Sequence, residues 1–88
     1  MLYPGGRGKA IVAIAYEKSG KIKISTRGTK ALVSQGLNLG AALAETCAQI
    51  GGHGGGHRIA AGASIPKDKL DEFLKIFAQA IEKQAVQT

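Results

Sequence analysis

The order of hydrophobic and polar residues divides the first third of the chain into two strand-like segments. A continuous apolar run, AIVAIAY, covers residues 10–16 and is typical of a strand that is buried on both faces. After a turn at residues 17–20, the segment KIKIST at residues 21–26 alternates strictly, which predicts a strand with Ile22 and Ile24 on its buried face. Together the two segments predict a β-hairpin.

Two later segments follow the 3.6-residue period of an amphipathic helix. The first is preceded by Asn38, a favourable N-cap residue, and the second follows Pro66 and is the most periodic part of the chain. Charged residues occupy the opposite side of the second helix, which predicts a solvated face. The predicted apolar faces are Leu39, Leu43, Cys47 and Ile50 in the first helix, and Leu70, Phe73, Leu74, Phe77, Ala78, Ile81 and Ala85 in the second.

These elements predict an α+β fold in the order strand, strand, helix, strand, helix. The third strand corresponds to the small apolar residues 59–65, and both helices are expected on one face of a small sheet with at least three strands. Residues 10–88 form the predicted domain, while residues 1–9, rich in glycine and proline, are interpreted as a boundary or linker. Residues 27–36 are the least regular and predict a single helical turn.

Composition narrows the kind of partner and compartment. The 88 residues carry a formal charge of +6, which favours a polyanionic partner, and the scarcity of aromatic residues favours phosphate contacts over base stacking. A single cysteine, Cys47, excludes an internal disulfide and fits a reducing compartment. No segment approaches the roughly 20 apolar residues of a membrane span, and no signal peptide is recognised, so a soluble cytoplasmic protein is expected.

The richest candidate for chemistry is the glycine-dense segment GGHGGGHRIAAGASIP at residues 51–66. Glycine permits positive φ and a close approach of ligand to backbone, and successive amides in such a loop can surround a phosphate. Arg27 ends the alternating strand on its polar side, where a guanidinium can give a bidentate phosphate contact. Alternatively, Arg27 is an ordinary exposed strand-end residue. The predicted phosphate-binding residues are Ser25, Arg27, Gly51, Gly52, His53, Gly55, Gly56, His57 and Arg58.

Catalytic and metal-binding chemistry is not expected in this chain. His53 and His57 have a spacing that can bind zinc on a helix, but three glycines separate them and Cys47 is the only further ligand in view. The six acidic residues form no paired-carboxylate cluster beside the glycine segment that could hold a metal for hydrolysis. The segment leaves a helix and enters a strand, which is the reverse of the P-loop and Rossmann arrangements.

The combination of KISTRGT at residues 23–29, the small-residue helix, the glycine-histidine segment and the terminal helix resembles the C-terminal substrate-binding domain of DHH-family phosphoesterases. The resemblance is nearest to archaeal RecJ-like single-strand exonucleases. It implies that Ser25 and Arg27 face the substrate. It also implies that one of two Gly-Gly-His copies contacts phosphate, with His57 preferred over His53 because it lies nearer residues 60–62. Arg58 is implicated only by its charge and position.

In that family an N-terminal domain holds the catalytic Mn²⁺ or Mg²⁺, and this sequence contains no Asp-His-His triplet. The resemblance therefore implies an accessory domain without a cofactor of its own, which binds single-stranded DNA or RNA for an N-terminal DHH catalytic domain and is not catalytic alone. Alternatives are a tRNA-binding domain like that of alanyl-tRNA synthetases, in which proline typically stands where this chain has Arg58, and the substrate domain of a short-oligonucleotide or cyclic-dinucleotide phosphoesterase. A different class is a structural or protein-interaction module, in which the glycines only permit close helix–strand packing.

Overall fold

The computed structural model describes residues 2–5 and 8–85, and within them the predicted α+β fold is confirmed. Two short strands join the predicted elements, and the helical turn predicted within residues 27–36 is present as a short helix at Lys30–Ser34. A 3₁₀ turn at Lys67–Lys69 leads into the last helix. The elements are β1 (Leu2–Gly5), β2 (Gly8–Tyr16), β3 (Lys21–Arg27), α1 (Lys30–Ser34), α2 (Leu39–Ile50), β4 (His53–Gly56), β5 (Ala60–Pro66) and α3 (Leu70–Ala85).

The strands form one antiparallel sheet in the order β1-β2-β3-β5-β4. The predicted hairpin joins β2 to β3 through a tight turn in which Gly20 has φ 87°, a conformation that favours glycine. β5 pairs with β3 along its length, so that Ser25 lies opposite Gly62, and β4 pairs with the outer side of β5. The glycine-dense segment is thereby placed at one edge of the sheet.

The two faces of the sheet differ in what covers them. Ile22, Ile24 and Thr26 of β3 are buried in the core that α2 and α3 complete, whereas the alternating residues of β3 are exposed. We call the uncovered side the open face. Because directly opposed residues of an antiparallel sheet share a face, the register places on it Ile11, Ala13, Ala15, Lys21, Lys23, Ser25, Arg27, His53, Gly55, Ala60, Gly62 and Ser64.

The prediction that β2 is buried on both faces is wrong. Val12 is buried, but Ile11 is 49% exposed, Tyr16 is 67% exposed, and Ala13 and Ala15 are also exposed. In the described residues the helices form a single layer, so the alternate positions of β2 face outward on the open face. An apolar run in the sequence is compatible with coverage of one face of a strand or of both. The sequence pattern alone does not distinguish the two cases.

Both long helices pack as their periodicity predicts. The Asn38 side chain accepts a hydrogen bond from the Ala41 amide at 3.0 Å, which confirms the N-cap, and the four predicted apolar positions of α2 are all buried. In α3 the rings of Phe73 and Phe77 stack with centroids 5.5 Å apart. The side chain of Gln84 joins the two helices, since its amide accepts from the Asn38 backbone N–H at 2.8 Å and donates to the Asn38 carbonyl at 3.0 Å.

The N-terminal segment extends the sheet. β1 and the first residues of β2 fall within residues 1–9, the stretch interpreted as a boundary or linker, and β1 pairs with β2 from Leu2 opposite Ile11 to Gly5 opposite Gly8. Residues 1, 6 and 7 lie outside the described residues. Where the domain begins stays a prediction.

Candidate phosphate-binding site

The glycine-dense segment is a strand and a tight turn rather than an open loop. Gly51 ends α2 with φ 85°, β4 then pairs with β5, and the turn at residues 57–60 leads into β5. The sequence interpretation of the segment as a loop is therefore corrected in part. The backbone groups of β4 that face β5 are satisfied by pairing with it.

Glycines of this segment and of α2 allow the helix and β4 to lie unusually close together. A Cβ atom added at Gly54 would stand 2.8 Å from the Cys47 Sγ, and one added at Gly40 would stand 2.7 Å from the Gly56 carbonyl carbon and overlap its oxygen. A Cβ at Gly52 would stand 2.7 Å from the Ser64 carbonyl oxygen. These glycines are required by packing, whatever the segment binds.

Hydrogen bonds on three sides hold the turn between β4 and β5, which we call the β4–β5 turn. The His57 amide donates to the Ala60 carbonyl at 2.9 Å, closing the turn. The carbonyls of His57 and Arg58 accept from the first two amides of α2, at 3.1 and 2.9 Å, and the Ile59 carbonyl accepts from the Gly28 amide at 2.8 Å. The His57 amide is thus occupied within the protein and is not free to surround a phosphate.

Ser25 and Arg27 line a shallow groove of about 380 Å³ on the open face, which we call the open-face groove. Gly55 and Gly62 lie in the same cross-strand row as Ser25, so the sheet carries no side chains on the β5 and β4 side of this hydroxyl. The groove contains one cation and no acidic residue among the residues that line it. Its lining is Ser25, Thr26, Arg27, Gly55, Gly56, Ala60, Ala61 and Gly62.

The remaining predicted site residues are distributed over three other places. His57 and Arg58 line a neighbouring pocket of about 560 Å³ on the β4–β5 turn, which we call the turn pocket. His53 is exposed on the open face. It lies in the cross-strand row of Ser64 and Lys23, and Lys23 is two residues before Ser25 on β3. Gly51 and Gly52 lie at the far end of β4 from Arg27 and line neither pocket. The structure therefore divides these four residues between two adjacent pockets, with Ser25 and Arg27 in one and His57 and Arg58 in the other.

Comparison with known proteins matches most of the chain to one family. Residues 6–83 match the DHHA1 domain. This chain belongs to the DHHA1 domain family. It is 47% identical over 72 residues to an uncharacterized protein of Methanocaldococcus jannaschii, a match that covers 81% of this chain and 16% of that protein. It is also 41% identical over 56 residues to the alanine–tRNA ligase of Myxococcus xanthus, covering 64% of this chain and 6% of the ligase.

The DHHA1 domain thus spans only a small part of the proteins it resembles. The family places it as a DHH-associated domain of the type found in DHH phosphoesterases and also in alanyl-tRNA synthetases. Among residues 2–5 and 8–85, no helix is both long and apolar enough to span a bilayer.

Potential metal ligands and nucleophiles were compared with what catalytic sites require. In the described part of the chain, no three side chains of histidine, cysteine, aspartate or glutamate come together as a metal site would require. The donor set therefore does not fit the Mn²⁺ or Mg²⁺ that the family implies for its catalytic domain. Burial raises the pKa of the Cys47 thiol above its usual value, and a protonated, buried thiol is a poor nucleophile.

Eight of the residues that line the two pockets were not among the predicted site residues, and Gly62 and Lys30 are the two that matter most for binding an anion. Gly62 lines the open-face groove because the register sets it against Ser25, and Lys30 lines the turn pocket because α1 begins beside the β4–β5 turn. Neither position carries a signal in the sequence, since both depend on how β3 meets β5. The alternation of β3 did indicate Lys23 on the polar side, and that side is the open face.

Proposed function

We propose that this DHHA1 domain binds the phosphates of single-stranded DNA or RNA and positions the strand for an N-terminal, metal-dependent DHH domain of its parent protein. The observation that carries the proposal is the open-face groove, where Ser25 and Arg27 stand beside two strands that are bare at Gly55 and Gly62. The two glycines leave room for a phosphate against the sheet.

The groove supplies the donors that a phosphodiester needs. Arg27 is exposed, and no ion pair of the described residues involves it, so its planar guanidinium is available for a bidentate contact. The Ser25 hydroxyl adds a donor in the adjacent row, and Lys23 continues the positive edge one row further. Hydrogen bonds of this charge-assisted type contribute about 1.5–3 kcal/mol each.

Catalysis is assigned to the DHH domain rather than to this chain. The carboxylates needed to hold Mn²⁺ or Mg²⁺ are not assembled in the described residues. The activity proposed for the parent protein is that of a RecJ-like exonuclease or related phosphoesterase, in the cytoplasm. The single buried thiol agrees with a reducing compartment.

A second candidate is tRNA binding, which the 41% identity to an alanine–tRNA ligase favours. Arg58 stands against it, since proline typically follows the histidine in those synthetases. The two candidates predict different ligands for the same groove. A folded tRNA would bind more tightly than an unstructured strand in the synthetase-like case, and no more tightly in the exonuclease-like case.

The test is a fluorescence-anisotropy titration with an unstructured single strand and with tRNA, at several salt concentrations. Arg27→Ala is compared with Lys75→Ala, which removes the same charge from the exposed side of α3, far from the groove. We expect Arg27→Ala to weaken binding about tenfold or more and to reduce the salt slope by about 0.7, the value for one single-strand phosphate. Equal affinities for the two variants, with both folded by circular dichroism, would refute the proposal.

A further inference from the structure

The turn pocket has the chemistry of a site for a ligand that is both anionic and partly apolar. Three nitrogen-bearing side chains line it, and Val33 and Ile59 provide an aliphatic wall, with Ile59 37% exposed. An exposed apolar side chain beside cationic side chains suits a nucleotide, because the phosphate is anionic and the base offers a less polar face. The lining is Lys30, Val33, Ser34, His57, Arg58 and Ile59.

Among the residues that the structure describes, no ion pair neutralises the charge of this pocket. Lys30 and Arg58 are exposed, and the ion pairs of the described residues involve neither of them. The Ser34 hydroxyl donates to the Ala31 carbonyl at 2.8 Å and keeps its own oxygen as an acceptor. Anions are therefore attracted here without competition from a carboxylate of the pocket itself.

The pocket is held in shape before any ligand arrives. The carbonyls of His57, Arg58 and Ile59 are bound by α2 and by the residue that follows β3, so the backbone that carries Arg58 and Ile59 is fixed on both sides. The Thr29 side chain caps α1 by accepting from the Leu32 amide at 3.1 Å, which orders the helix that carries Lys30. Such prior ordering reduces the entropy that binding costs.

The turn pocket adjoins the open-face groove. Arg27 and Ala60 face each other in the last row of the groove, and the next residues, Gly28 and Ile59, are joined by a hydrogen bond of 2.8 Å. Lys30 of the turn pocket follows Arg27 by three residues, a span of at most about 10–11 Å along the chain. Because the arginine and lysine side chains are long, they can contact consecutive phosphates of one extended strand.

We propose that the turn pocket is a second nucleotide subsite, in which Lys30 and Arg58 hold the phosphate next to the one bound by Arg27, with sugar or base against Ile59. This inference rests on the proposed function and specifies its substrate class: a strand of two or more nucleotides in extended form, in preference to a mononucleotide. The open-face groove and the turn pocket then bind the same strand. The contacts of the turn pocket raise affinity only when the ligand is long enough to reach it from the groove.

The test is a titration of isotope-labelled protein with thymidylates of increasing length, from the mononucleotide to the hexanucleotide, followed by backbone amide shifts in NMR spectra. For the wild type, we expect the mononucleotide to shift Gly55 and Gly62, and the longer ligands to shift Arg58 and Ile59 in addition, with affinity rising at least tenfold. In Lys30→Ala/Arg58→Ala this rise should be lost while the mononucleotide affinity stays within twofold. Lys18→Ala/Lys75→Ala removes the same charge elsewhere and should behave as wild type.

Other results would overturn the inference. An equal loss at every length, including the mononucleotide, would make the turn pocket part of the first site, and no loss at any length would mean that it binds no nucleotide. If Arg27→Ala lost affinity for thymidylates while Lys30→Ala/Arg58→Ala kept the wild-type affinity at every length, the proposed function would stand without the second subsite. If the wild type bound no thymidylate and no RNA, the proposed function itself would fail, and the second subsite with it.

Discussion

Replacement of Gly40 by alanine tests the close contact between α2 and β4. Helix propensity alone predicts that Gly40→Ala stabilises the protein, because alanine is preferred to glycine in a helix by up to about 1 kcal/mol. The structure predicts the opposite sign, since the new methyl group would overlap the Gly56 carbonyl. Propensity and packing therefore make contradictory predictions at one residue.

The magnitude follows from what the methyl group would meet. Its nearest neighbours are the backbone carbonyl and amide of Gly56, which cannot rotate away as a side chain would. Overpacking of this kind costs about 1–3 kcal/mol, and the upper end applies when backbone must move. Less the propensity gain, we expect the free energy of unfolding to fall by about 2 kcal/mol, and the Tm of a domain of this size by about 8–16 °C.

Urea denaturation followed by circular dichroism measures this difference. The matched control is Ala44→Gly, an exposed position of the same helix where the exchange runs in the other direction and should cost about 0.5–1 kcal/mol from propensity alone. An unfolding midpoint for Gly40→Ala at or above that of the wild type, with an unchanged m-value, would refute the close α2–β4 contact.

Two further predictions concern the helices. Gln84→Ala removes both side-chain hydrogen bonds to the Asn38 backbone. We expect urea denaturation to show a free energy of unfolding lower by about 1–3 kcal/mol. The control, Gln79→Ala, lies at an exposed position of α3 and should change this free energy by less than about 0.5 kcal/mol. Because Cys47 is only 2% exposed and burial raises its pKa, its alkylation at neutral pH should be much slower in the native protein than in urea, and equal rates would contradict its burial.

Periodicity predicted the parts of this fold in which apolar and polar side chains recur at the spacing of a strand or a helix. The alternation of β3 identified its buried and exposed faces, and Asn38 and Pro66 marked where the helical segments begin. β4 escaped prediction because the sequence HGGG has one side chain, so no alternation exists to detect, and glycine is depleted in strands. It becomes a strand because β5 offers backbone partners and α2 can approach it only if side chains are absent.

The candidate site was predictable to the same extent. Ser25 and Arg27 are two apart on one strand, so their common face follows from the β period, and the structure places both in the open-face groove. The position of His57 and Arg58 in a separate pocket depends on the β4–β5 turn, whose place is set by hydrogen bonds to α2 and to Gly28. Contacts between residues so distant in sequence leave no local pattern.

The anchoring of the β4–β5 turn has a consequence for how this domain can diversify. Its position relies on the carbonyl groups of His57, Arg58 and Ile59, which every amino acid possesses, rather than on the side chains at these positions. Mutation of residue 58 or 59 can therefore change which ligand is recognised without removing the bonds that hold the turn. Selection, or a laboratory library restricted to these two positions, can explore new binding preferences at little risk of unfolding the domain.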